Sequence, residues 1–312
     1  MSTRTESDPE VRRRRRRRLI HGVPAAGPIE QLLKVVVLAI FCLAVLIPFL
    51  GVLSTSIAPA RQVQQAGGLV LIPEGVQFDS YKALFAGGVV TQALLVSAVV
   101  TIGGTLLSLT ASCLMAYALA QRSFPLAKPI LMIVLIGMLF SPGMIPMYLT
   151  VKQFGLLNSL WALIIPTMVS GFNVIVLRTF FTNLPDQVTE SARIDGANDW
   201  QIFGFIVLPL SKAVLAVIGL FYAVGYWNAF FNALLYIDDQ SKWPLQLVLR
   251  TYVVDDTQIG ASELGATSSE LVPPQASIQM AILVVSVVPI LCVYPFLQRH
   301  FAKGVLTGAV KG

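Results

Sequence analysis

Charge is scarce in this chain. Only 12% of its 312 residues are Asp, Glu, Lys or Arg, while 55% are hydrophobic, a balance that excludes an ordinary water-soluble globular domain. No Asp, Glu, Lys, Arg or His occurs from Ala83 to Gln121, Pro129 to Val151, Phe154 to Leu177, Ala213 to Ile237 or Leu271 to Gln298. A transporter driven by protons or a cation gradient commonly keeps such groups in its spans, where a central charge costs ~2.5–3.5 kcal/mol and is tolerated for its task. Their absence weakens that reading, although sodium held by backbone carbonyls keeps it open. Cysteine is equally sparse: Cys42, Cys113 and Cys292 lie singly in apolar runs, without the spacing of a disulfide or zinc framework. The two histidines, His21 and His300, have no neighbours that complete a metal ligand set. There is no GxxxxGK[ST] phosphate loop, no HExxH and no Ser-His-Asp or paired-carboxylate constellation near a membrane face. No cofactor, metal site or catalytic residue is therefore expected, and an energy source belongs to another chain.

What fills the chain instead is a set of apolar runs. Measured against the ~20 residues that cross about 30 Å of hydrocarbon, spans are expected at about 33–57, 92–120, 127–149, 156–180, 213–236 and 276–298. The runs lack strict alternation and far exceed the ~9–11 residues of a membrane strand. An all-α polytopic membrane protein with six transmembrane helices follows. Pro142, Gly143, Pro146 and Pro166 are expected to kink the third and fourth of them.

The basic residues orient the bundle. Arg12 to Arg18 form an unbroken arginine run, a self-repelling block read as a disordered cytoplasmic tail beside anionic membrane lipids. A cleaved signal peptide fits poorly, since the following apolar run is longer than the usual ~7–15 residue core. A nucleic-acid arm lacks aromatic residues and a recognition module, so no nucleic-acid partner is expected. With the N-terminus inside, 17 of the 22 Lys and Arg residues fall on the cytoplasmic side, as the positive-inside rule requires. Both termini are then cytoplasmic. The long outer segments, 58–91 and 237–275, are read as docking surfaces for an external partner, the second made acidic by Asp238, Asp239, Asp255, Asp256, Glu263 and Glu270.

Between the fourth and fifth spans lies a polar island holding Asp186, Glu190, Arg193, Asp195 and Asp199. Pro185 suits a helix start, and the early acids complement the dipole of that helix. Gly196 supplies a left-handed stop. Asn198 is a cap for a second short helix, expected to lay Trp200, Phe203 and Val207 against the bundle. The charge count puts this two-helix knob in the cytoplasm.

The spacing Glu-x-Ala, three residues, Gly, nine residues, Ile-x-Leu-Pro, carried here by Glu190, Ser191, Ala192, Gly196, Ile206, Leu208 and Pro209, resembles the cytoplasmic EAA loop of binding-protein-dependent ABC importer permeases. Ser191 stands where the family more often has alanine, a change small in volume. The longer strings Glu190–Asp199 and Ile206–Lys212 are similar to the carbohydrate-importing group related to the maltose permeases. The resemblance covers about 92–300 and implies a type I importer permease fold in the bacterial cytoplasmic membrane. It implies that the loop's first helix couples to a pair of separate ATPase subunits, with Glu190, Ser191, Ala192, Asp195 and Gly196 at or near the contact. It further implies a second permease subunit, an extracytoplasmic sugar-binding protein, and no enzymatic activity in this chain. The expected organisation is a basic tail at 1–31, a first helix and external loop at 32–91, and the importer domain at 92–300. That domain contains the coupling loop 185–212 and the external loop 237–275, and a cytoplasmic tail follows at 301–312.

A cluster of aromatics and amides marks the fifth span. Sugars are held by stacking on aromatic faces and by hydrogen bonds from side-chain amides, so Trp227, Asn228, Phe231 and Asn232 are candidates for the substrate pathway. Aromatics at helical spacing equally serve packing and interface belts. The function expected is a permease subunit forming half of the path for a sugar or oligosaccharide. The alternatives are a gradient-driven secondary transporter and a membrane-anchored interaction protein that acts through its basic tail.

Overall fold

The computed structural model describes residues 19–20, 23–24, 28–121, 123–255 and 273–309. The arginine run at 12–18, and Asp256, Glu263 and Glu270 of the second outer segment, lie outside them. Apart from a two-residue antiparallel pair, Leu19–Ile20 with Val23–Pro24, the described chain is helical. It divides into two compact units, Met1–Gly51 and Val52–Gly312. The first unit contains most of helix α1 (Pro28–Ile57), an apolar rod whose Leu33, Phe41 and Leu46 are all more than half exposed. So much bare apolar surface is stable only against lipid or protein.

The second unit holds the remaining helices: α2 (Ala60–Gln65), α3 (Asp79–Ala86), α4 (Val89–Ala120), α5 (Ala127–Leu139), α6 (Met144–Gln153), α7 (Trp161–Thr167), α8 (Gly171–Thr182), α9 (Asp186–Ile194), α10 (Asp199–Leu210), α11 (Lys212–Trp227), α12 (Phe230–Tyr236), α13 (Leu245–Val254) and α14 (Gln275–Ala309). Three of the expected spans are unbroken: α1, α4 and α14. The other apolar runs are interrupted, two of them at proline or glycine. The run 127–149 splits into α5 and α6 at Pro142 and Gly143, the glycine at φ +84°. The run 156–180 becomes α7 and α8, bent by 52°, with Pro166 in a 3-10 turn just before the bend. The run 213–236 stops at Trp227 and restarts at Phe230. There the Asn228 side-chain amide and backbone N–H both donate to the Val224 carbonyl, at 3.0 and 3.1 Å. At the other end of α11 the chain turns 84° from α10.

Helix α4 is the centre of the packing and lies against α8, α11 and α13. Its buried face includes the small residues Ser97, Gly104, Ser108 and Ser112, which let neighbouring helices come close. A Cβ at Gly104 would sit 2.8 Å from the Tyr226 ring. Ser108 Oγ and the Tyr226 hydroxyl are 2.7 Å apart, and Ser112 Oγ and the Tyr222 hydroxyl 2.6 Å. Two tyrosines one turn apart on α11 are thus fastened to α4 by serines.

The outer segment after α12 is less loop-like than its composition implies. Leu245, Leu247 and Val248 of α13 are fully buried, and the Leu245 N–H donates to Ser97 Oγ at 2.8 Å. The part expected as a docking surface is core from Leu245 to Val248, because its apolar residues face inward on a helix rather than outward in a loop. Asn158, left-handed at φ +58°, ties this region down. Its N–H donates to the Tyr236 carbonyl at 2.7 Å, while its Oδ1 accepts from the Asp239 N–H at 3.1 Å.

Candidate coupling loop and membrane cavity

Helix α9 starts at Pro185, in extended geometry at ψ 119°, and runs nine residues. It ends in two bonds: the Gly196 N–H reaches the Arg193 carbonyl at 3.1 Å, and the Ala197 N–H reaches the Ala192 carbonyl at 2.9 Å. With Gly196 at φ +85° this is a Schellman closure, which satisfies the last carbonyls and needs a residue free to go left-handed. Asn198 then caps α10 reciprocally. Its side chain accepts from the Gln201 N–H and its own N–H donates to Gln201 Oε1, each at 2.9 Å. Pro209 has no N–H for the Phe205 carbonyl, and the turn before it, Phe203–Val207, widens to π-helix.

The predicted coupling residues share this helix and its closure but do not share one face. Glu190, Ser191, Asp195 and Gly196 are exposed, whereas Ala192 is half-buried and packs on the core. Phe203 and Val207 are buried as expected. Trp200 is not: it is 72% exposed, and Ile194 is 87% exposed. Helical spacing groups Trp200 with Phe203, but only Phe203 is covered by the bundle.

The tie between this loop and α4 joins residues too far apart in sequence to be legible there. Arg193 donates through Nη2 to Gln121 Oε1 at 3.1 Å and lies 3.4 Å from Asp199 Oδ1. The Tyr117 hydroxyl donates to the Asp199 carbonyl at 3.3 Å, and the Tyr117 and Phe203 rings are 4.9 Å apart. Arg178 of α8 donates to the Leu119 carbonyl at 3.0 Å, a cation at a helix C-terminus, where the dipole favours it. The loop and α8 therefore both grip the last turn of α4. Between them is a polar cavity of about 230 Å³ lined by Gln121, Asp186, Glu190 and Arg193, among others.

The four candidates for the substrate pathway separate in the structure. Trp227 is buried, and its indole N–H donates to the Ser286 carbonyl of α14 at 3.1 Å, an anchoring position. Asn228 is exposed, with its amide bonded back to Val224. Phe231 is 45% exposed and meets Phe230 edge-on at 6.2 Å. Asn232 lines a cavity of about 380 Å³ at the bend between α7 and α8, together with Thr167, Ser170, Phe172, Asn173 and Tyr222. The signal for Asn173 was a lone amide just after Pro166 and Ser170-Gly171 in an apolar run. Among the described residues no group of three or more His, Cys, Asp or Glu could hold a metal ion.

Residues 108–307 match the family described as binding-protein-dependent transport system inner membrane component. The chain is 46% identical to the polygalacturonan/rhamnogalacturonan transport system permease protein YtcP of Bacillus subtilis, over 88% of this chain and 96% of that protein. It is 44% identical to protein LplC of the same organism, over 86% and 90% respectively. A chain in the crystal structure of a bacterial ABC transporter involved in the import of the acidic polysaccharide alginate superposes with a TM-score of 0.81 and 30% identity. That likeness covers 89% of this chain and 100% of the other.

Proposed function

The chain belongs to the family of binding-protein-dependent transport system inner membrane components, and on that premise we propose that it is one of two permease subunits enclosing the membrane path for a sugar or oligosaccharide. It is a transport subunit and not an enzyme. A gradient-driven secondary transporter gives way to this reading, because the relatives are permeases of transport systems, one of them part of an ABC transporter. An extracytoplasmic binding protein delivers the sugar, and a pair of separate ATPase subunits supplies the energy. Both termini and the loop at 185–212 face the cytoplasm.

The observation that carries the reading is the construction of α9. A short polar helix is closed by Gly196 and left exposed at Glu190, Ser191 and Asp195, while Arg193 ties it to the end of α4. A helix so placed can take a push from a docked ATPase and pass it to α4, the helix against which α8 and α11 pack. Glu190, Ser191, Asp195 and Gly196 form the docking side, and Ala192 seats the helix on the bundle. Asn232 faces the sugar's path, with Trp227 anchoring α11 behind it and Asn228 and Phe231 flanking it toward the sister permease.

The test is ATP-driven sugar uptake by the reconstituted complex in sealed vesicles. Uptake that requires lumen-side or bath ATP according to orientation, and that persists when ion gradients are collapsed, is expected. Uptake that survives ATP removal and stops with the gradient contradicts the proposal.

A further inference from the structure

Helix α10 buries one apolar side and leaves another bare. Ile202, Phe203 and Val207 are buried against the bundle, and the Phe203 ring lies 4.9 Å from that of Tyr117. Phe205 and Leu210, outside that stripe, are 80% and 52% exposed, a placing that water disfavours. Three observations say what covers them. The first is direction. Helix α10 turns 84° from α11, and α11 begins an apolar run, 213–236, long enough to cross a bilayer. A helix nearly at right angles to a span, and joined to it through Ser211 alone, runs along the membrane surface where that span begins.

The second is charge. Lys212 is exposed in the first turn of α11, where the helix dipole disfavours a cation. Its ammonium has no ion pair among the described residues. A headgroup phosphate supplies the missing anion, and a lysine at the end of a span reaches it by snorkelling. The third is composition. From Trp200 to Leu210 only Gln201 carries a polar side chain, so Phe205 and Leu210 lack the polar rim that an interface with a soluble subunit keeps. We propose that α10 lies in the membrane boundary, with Phe205 and Leu210 at the acyl edge and Lys212 at a headgroup phosphate. Lipid is then the support of the polar loop. Helix α9 closes through Gly196 and Ala197 directly into Asn198, the cap of α10, so a push on α9 works against a helix seated in the bilayer.

The inference rests on the importer reading above only for the leaflet, the cytoplasmic one, and its test separates the two. Phe205→Cys and Leu210→Cys are each made in a chain whose Cys42, Cys113 and Cys292 are replaced by alanine. Each is labelled with a nitroxide in the whole complex, in vesicles of phosphatidylethanolamine and phosphatidylglycerol. Collisions with oxygen, which concentrates among acyl chains, and with a water-soluble nickel chelate are read by electron paramagnetic resonance. Oxygen is expected to exceed nickel severalfold at both positions. Lys212→Glu, which sets a carboxylate against the headgroup phosphate, is expected to lower the oxygen-to-nickel ratio at position 205 severalfold. Nickel in excess at both positions means water and overturns the proposal. Exclusion of both reagents means cover by the ATPase or the sister permease, and overturns it equally. An unchanged ratio in Lys212→Glu overturns the role given to that ammonium. Binding-protein-stimulated ATP hydrolysis in the same vesicles judges the importer reading by itself: its absence strikes that reading and leaves the lipid contact standing.

Discussion

Arg193, on the exposed helix α9, donates to the side-chain oxygen of Gln121 at 3.1 Å across 72 residues of sequence. Gln121 is the residue that ends α4, so this bond joins the loop to the central helix. Arg193 and Asp199 are 50% and 70% exposed at their side chains, and exposed pairs of this kind contribute ~0.2–1 kcal/mol. Their contribution to stability is therefore small, and the proposed coupling role assigns them to transmission. Arg193→Ala is expected to leave thermal stability and subunit assembly within that small margin, while sugar transported per ATP hydrolysed falls severalfold. Parallel measurement of uptake and hydrolysis checks it, and an unchanged ratio contradicts it.

Gly104 faces the Tyr226 ring so closely that a methyl group would lie 2.8 Å from it. Gly104→Ala is expected to destabilise the bundle by about 1–3 kcal/mol, the usual cost of overpacking. Adding Tyr226→Leu should recover part of that loss, since the two changes share one contact. Thermal unfolding of the detergent-solubilised single and double variants measures both effects.

Tyr222 serves two partners at once, Ser112 on α4 and the Ser170 N–H at the bend. Tyr222→Phe keeps the ring and strands that N–H, at a cost of about 1–3 kcal/mol. The same variant is expected to increase hydrogen exchange at residues 168–171, the bend itself, more than at α11. Exchange followed by mass spectrometry gives the comparison.

Asn198 and Gln201 satisfy each other's N–H groups at the start of α10. Asn198→Ala should cost about 1 kcal/mol and fray α10 through Trp200, which has no packing to hold it. Faster hydrogen exchange at residues 199–203 in Asn198→Ala than in the parent chain, with exchange in α11 unchanged, reports the fraying.

The physics of single residues made much of this legible in sequence. Runs without charge located the helices, Gly196 and Asn198 announced the loop's stop and cap, and the buried Phe203 and Val207 followed from helical spacing. What escaped depended on neighbours distant in sequence. Trp200 has the right spacing to be buried, yet it stays 72% exposed. Leu245, Leu247 and Val248 sit in a segment rich in acids, and only the Ser97 bond to Leu245 shows that they dock into the core. Trp227 and Asn232 look alike as pathway candidates until the restart of the helix at Phe230 turns one toward α14 and the other toward the cavity. Proline and glycine marked the breaks at 142–143 and 166, whereas the break after Trp227 has neither residue to announce it.

The central claim, that α9 is the joint between this subunit and its ATPase, is tested most directly at Gly196. Its φ of +85° strains any other residue, but a Cβ there meets nothing within 4 Å, so Gly196→Ala adds strain of ~1–2 kcal/mol without a clash. Gly196→Trp adds the same strain plus bulk on the side proposed for docking. ATP-driven uptake in vesicles, normalised to the amount of assembled complex, is predicted to persist in the alanine variant and to fall roughly tenfold or more in the tryptophan variant, the equivalent of at least about 1.4 kcal/mol of lost docking. Equal uptake in the two variants would contradict the account.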